Sequence, residues 1–174
     1  MEEARTQAVV PQSDSNQIPN KMQEFQIALD LAYGCMASDG DVSDVELDCL
    51  KSLCIQRGFS TDSYQEALLK TQQRFKQDLI GLYDSLVPEL VAMSANLDQQ
   101  LEVLGILIEL VVSDGVVEQG ELSFIRYVLA MGKWNADALR QARPEWSKYI
   151  QEGFETNLEL RRNVLAKMAE GVES

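Results

Sequence analysis

Apolar side chains recur along most of this chain at steps of three and four residues, the spacing that lines one face of an α-helix. Gln23–Ser38 sets Phe25, Ala28, Leu29, Ala32 and Met36 on one such face. The loop Asp39–Val42 interrupts the pattern, and Ser43 opens a second helix with the capping-box sequence Ser43-x-x-Glu46. Gly58 is expected to stop it. A third helix begins near Thr61, and a fourth covers Lys76–Met93, where Pro88 predicts a kink or a restart. Asn96 with Gln99 caps a fifth, running through "LEVLGILIELVV" with Leu104, Leu107, Ile108 and Val111 as its apolar stripe. A sixth spans Glu118–Met131 and is expected to halt at Gly132. Two more, over Asn135–Ile150 and around residues 155–171, complete the chain. Strict alternation is absent and β-branched residues are few, so strands are not expected. The pattern predicts an all-α fold: a compact bundle of about seven or eight helices.

Two stretches are written almost alike. "ASDGDVSDVEL" (Ala37–Leu47) and "VSDGVVEQGEL" (Val112–Leu122) align at a constant offset, keeping Ser38/Ser113, Asp39/Asp114, Gly40/Gly115, Val42/Val117, Glu46/Glu121 and Leu47/Leu122. Packing alone explains repeated apolar positions, but not an Asp-Gly followed six residues later by Glu-Leu. The reading is an internal two-fold repeat around 22–59 and 97–132, each unit being a buried helix, an acidic turn and a capped helix. Neither hairpin covers its own apolar face, so the two are expected to pack together. Residues 1–20, with Pro11, Pro19 and a Ser/Asn/Gln cluster, read as a flexible leader to a single domain over 21–174.

Composition narrows the function. Lys and Arg number 15 against 28 Asp and Glu, a formal charge of −13. That charge repels nucleic acid and anionic lipid and favours cations or basic protein surfaces. The chain has no histidine, which removes the commonest general base and transition-metal ligand. Cys35, Cys49 and Cys54 sit at apolar helical positions without Cys-x-x-Cys spacing and read as reduced thiols. No apolar leader is visible and the greasiest stretch, Leu104–Val112, is too short to span a bilayer. A cytoplasmic protein without membrane insertion is expected.

Three readings fit the acidic turns. In the first they are structural: Asp39 and Asp114 close a tight turn, Gly40 and Gly115 supply positive φ, and Glu46 and Glu121 favour a helix start. In the second they bind a divalent cation. Repeat one offers Asp39, Asp41, Asp44 and Glu46, and repeat two offers Asp114, Glu118 and Glu121. All-oxygen donors without histidine select calcium, magnesium or manganese over zinc or copper. An EF-hand is excluded, because Asp39–Leu50 has Asp44 where its glycine and Leu50 where its closing glutamate should stand. In the third, the acidic face docks a basic partner.

An apolar helix ending in Ala/Val-Ser-Asp-Gly, then Val, then a glutamate six residues after the aspartate, resembles the TerB-like (tellurite resistance protein B) family. It is also similar to the membrane-facing N-terminal domain of DjlA-type co-chaperones. The pattern is carried by "CMASDGDVSDVELDCLKSLCIQRGF" (Cys35–Phe59) and "LVVSDGVVEQGELSFIRYVLAMG" (Leu110–Gly132), and the resemblance extends over about residues 22–150. It implies a pseudo-symmetric helical bundle with acidic residues gathered on one face to bind a metal ion, in a protein tied to tellurite resistance and chemical stress. By motif position the ligands it implies are Asp39 and Glu46, Asp114 and Glu121. The second set departs from the first, since Gln119 and Gly120 replace Asp44 and Val45.

No nucleophile–base pair and no glycine-rich phosphate loop is present, so an enzyme is not expected. The leading expectation is a non-enzymatic cytoplasmic protein with a divalent-cation site built from Asp39, Asp41, Glu46, Asp114, Glu118 and Glu121. The alternative is a protein-interaction adaptor, monomeric or homodimeric, recruiting an unknown protein partner through an acidic surface or through Tyr64, Phe75, Tyr83, Trp134 and Trp146.

Overall fold

A computed structural model describes residues 23–40, 42–113 and 115–173. The leader expected over residues 1–20 lies outside them, as do Asp41 and Asp114. Eight α-helices follow one another: α1 (23–37), α2 (Asp44–Gln56), α3 (Thr61–Gln77), α4 (Leu79–Ala92), α5 (Leu97–Val112), α6 (Gln119–Gly132), α7 (Ala136–Ala142) and α8 (Asn157–Glu173). Short 3₁₀ turns at Met93–Ala95 and Pro144–Trp146 join them, and the described residues contain no strand.

The helix starts follow local chemistry. Ser43 accepts from the Glu46 N–H while the Glu46 carboxylate accepts from the Ser43 N–H, the reciprocal pair the sequence predicts. Ser60, Asp78, Asn96 and Asn135 likewise cap α3, α4, α5 and α7.

Four expectations are corrected. The fourth helix starts at Leu79 because Asp78 caps it, and it runs without a restart past Pro88, which sits on the exposed side. The helix expected over Asn135–Ile150 stops at Ala142, since Pro144 cannot continue the hydrogen-bond ladder. Gly132 closes α6 but is not its left-handed stop; Lys133 takes that conformation at φ 57° and ψ 39°. Gly132 is small for another reason: a Cβ there would press on the Trp134 ring and Leu90. Finally, Tyr64, Phe75, Tyr83 and Trp134 are buried and offer no recruiting surface; of the five aromatics proposed for that role only Trp146 is partly exposed.

α1 is the central element. From Leu29 to Ser38 all but Tyr33 are buried. Tyr33 meets Phe75 of α3 edge-on at 5.1 Å, and an aromatic row continues through Tyr83 and Phe124 to Tyr127. Gly34 lets Tyr83 of α4 and Phe124 of α6 reach the α1 backbone, since a Cβ there would lie 2.6 Å from the Tyr83 hydroxyl. The α5 stripe Leu104, Leu107, Ile108 and Val111 is wholly buried in the same core. α8 packs across α6 and α4 through Leu160, Val164, Leu165 and Met168, and Arg161 Nη2 donates to both carboxylate oxygens of Asp84 in α4. No described helix is long and apolar enough to cross a membrane.

Candidate functional site

Gly40 and Gly115 have φ of 95° and 79°, which only glycine adopts without strain, and each reverses the chain at the end of a buried helix. The first turn then seats on the start of α6. A Cβ at Gly120 would fall on the Ser38 carbonyl, 2.9 Å from its carbon and 3.3 Å from the Asp39 Cα. This explains why a glycine stands at the position that aligns with Val45 of the first acidic stretch. On the other side, the Cys49 thiol of α2 lies near the Ser113 side chain at the end of α5.

The carboxylates behave differently from one another. Glu46 and Glu121 are 4% and 3% exposed. Glu46 Oε1 accepts from the Ser43 N–H at 3.2 Å and its hydroxyl at 2.9 Å; Glu121 Oε1 accepts from the Glu118 N–H at 2.9 Å. Asp39 is half-buried, and Asp44 and Glu118 are exposed at the starts of their helices. Asp39, Glu46 and Glu121 share one neighbourhood around the Cys35 thiol. Burial drives that thiol well above the ordinary range, and the charges of Glu121, Glu46 and Asp39 drive it further. None of the three acids stands without a partner. Of the six predicted ligands, then, Asp39, Glu46 and Glu121 come together, Glu118 stays at the surface, and Asp41 and Asp114 fall outside the described residues. Among the described residues no group of three or more His, Cys, Asp or Glu is arranged to hold a metal ion.

The sequence reading missed two features of this site. α8 closes over the first turn: Gly171 approaches the Gly40 carbonyl so closely that a Cβ would sit 3.1 Å from it, and the Lys167–Glu170 pair flanks Gly40. Farther along α1, Asp30 is buried to 1% exposure, accepting from Thr71 at 2.6 Å and Gln26 at 3.2 Å, with Arg74 at 3.6 Å. Burial raises its pKa despite the lowering effect of Thr71, Gln26 and Arg74. The signal was present: Asp30 is the only charge in the apolar run Ile27–Ala37.

Compared with known proteins, the chain matches the sequence model of the family described as tellurite resistance protein TerB, over residues 27–144. No curated protein and no solved structure matches it. The matched span holds both turns and stops short of α8.

Proposed function

The chain belongs to the TerB family, and from that premise we propose that it is a non-enzymatic binding protein of the tellurite and chemical-stress response, taking up a divalent cation at its paired acidic turns. The observation that supports this reading is the seating of the first turn on Gly120, with Asp39, Glu46 and Glu121 in one electrostatic neighbourhood around the Cys35 thiol. An all-oxygen donor set in a chain without histidine suits calcium, magnesium or manganese. Because Asp39, Glu46 and Glu121 do not by themselves form a ligand group, the reading requires Asp41 or Asp114 to contribute. The test is calorimetric titration with the three cations of the natural chain and of an Asp39→Asn/Asp114→Asn variant. Saturable heat in the natural chain that vanishes in the variant supports the site; equal heat in both, or none in either, removes it.

A second reading is favoured by the bonds that Glu46 and Glu121 make to their own helix starts and by Lys167 beside Gly40. Here the turns are structural, and the protein acts as an adaptor through its acidic surface. A bound cation raises the melting temperature by mass action. Under the adaptor reading, calcium, magnesium and manganese leave it unmoved while the double variant lowers it.

A further inference from the structure

At the opposite end of α1 from the acidic turns, roughly 20 Å away at 1.5 Å per residue, the helices part around a cavity of about 310 Å³. Its walls are Phe25, Ala28, Phe59, Met93, Val103 and Ile106, drawn from α1, the α2–α3 turn, the end of α4 and α5. Phe25 and Phe59 stack with ring centroids 3.9 Å apart, forming a flat aromatic wall. Met93 is the one flexible apolar side chain among them, suited to shaping itself around a guest. Beneath the floor lies a smaller void of about 20 Å³ that Leu50, Leu53 and Cys54 line. Its lining is almost wholly apolar, so water there would find few partners. The Cys54 thiol stays protonated, because burial pushes its pKa up to about 11.

The rim is polar and leans negative. Arg57 is already engaged, its Nε donating to Glu102 at 2.6 Å and its Nη1 to the Leu53 carbonyl at 3.2 Å. Glu24 lines the same mouth and, among the described residues, receives a long bond, 3.4 Å, from the Gln99 amide. Among the described residues, two carboxylates against one paired guanidinium leave a net negative mouth, in a molecule of charge −13. An anionic head would meet that field unfavourably; a cationic head would find Glu24.

We propose that this cavity is a binding site for a small apolar molecule bearing an amine head group, the apolar body lying against the Phe25–Phe59 wall and the ammonium at Glu24. An apolar cavity of this size with a few convergent polar groups at its mouth is the ordinary form of a small-molecule site. The site is separate from the acidic turns and does not depend on any cation there.

The experiment uses the full chain and the neutral fluorescent probe N-phenyl-1-naphthylamine, with dodecylamine and dodecanoate as competitors below their micelle concentrations. Expected is saturable one-to-one enhancement, with dodecylamine displacing the probe at about fivefold lower concentration than dodecanoate, the scale of one exposed ion pair. Ala28→Phe fills the cavity and abolishes the enhancement while a thermal melt shows it folded. Glu24→Gln, at an exposed position, keeps probe binding and loses the preference for the amine. The Asp39→Asn/Asp114→Asn variant binds the probe as the natural chain does, which separates this site from the cation reading. The proposal is overturned by non-saturable enhancement, by equal displacement by amine and acid, or by a folded Ala28→Phe chain that still binds. Should Ala28→Phe fail to fold, an amine preference that survives Glu24→Gln overturns it instead.

Discussion

Single side chains decide how the first acidic turn seats on α6. Gly120 is the clearest, because its missing Cβ is where the Ser38 carbonyl sits. Gly120→Ala is therefore expected to lower stability by about 1–3 kcal/mol, as overpacking against backbone does, and denaturant midpoints measure it. Asp30 gives a pH-dependent case. Its native pKa is raised above 3.8, so the unfolded chain ionises first. The stability it contributes is then fullest below 3.8 and is lost as pH rises through the native value. Asp30→Asn abolishes that loss, so the stability of the variant relative to the natural chain should grow as pH rises from 3.5 to neutrality. A difference in urea midpoint that stays flat or runs the other way would contradict the assignment. The three thiols make a third case. Cys35 and Cys54 are buried and Cys49 is half-exposed with its pKa raised by burial and by Glu109. A thiol reagent on the native protein should label Cys49 alone, and slowly; labelling of Cys35 or Cys54 before unfolding would show that the core opens more readily than its packing implies.

At the scale of elements, much of the fold was legible because helix starts are written locally. Ser43 with Glu46, Ser60 and Asn96 each lie three residues from the N–H they serve, so the caps can be read without knowing the fold. Ser43→Ala should accordingly cost about 1 kcal/mol in thermal unfolding. What was not legible depends on contacts between elements. Trp134 reaches back to the Leu90 carbonyl at 2.8 Å, and that tertiary bond makes Gly132 a packing glycine with Lys133 turning the chain. Gln99, read as half of a capping box, turns instead toward Glu24. The candidate site was half legible in the same sense. The motif spacing picked out Glu46 and Glu121, but not that Glu118 stays at the surface, nor that α8 covers the first turn.

For the molecule as a whole, α8 is the element that the family match leaves out and the packing brings in. Met168 is fully buried among its neighbours, so Met168→Ala should destabilise the entire protein by about 2–5 kcal/mol. A single cooperative transition, shifted as a unit, is the expected melting curve; a separate early transition would mean that α8 is an appendage. Arg126–Glu155 and Arg161–Asp84 tie the same region together at 2.7 and 2.8 Å. The Glu155 pKa is lowered, chiefly by its bond to Arg126, so that tie weakens as pH falls through its native pKa.

The meeting of Gly171 with Gly40 has a consequence for biosynthesis. Domains generally fold as units, from the N-terminus onward during synthesis. Here, however, the residues that close over the first turn are made some 130 positions after it, (171 − 40), so a nascent chain carries that turn uncovered until translation nears residue 171. A ribosome-stalled chain ending before Asn157 should therefore be cleaved near residue 40 by a protease that spares the released protein.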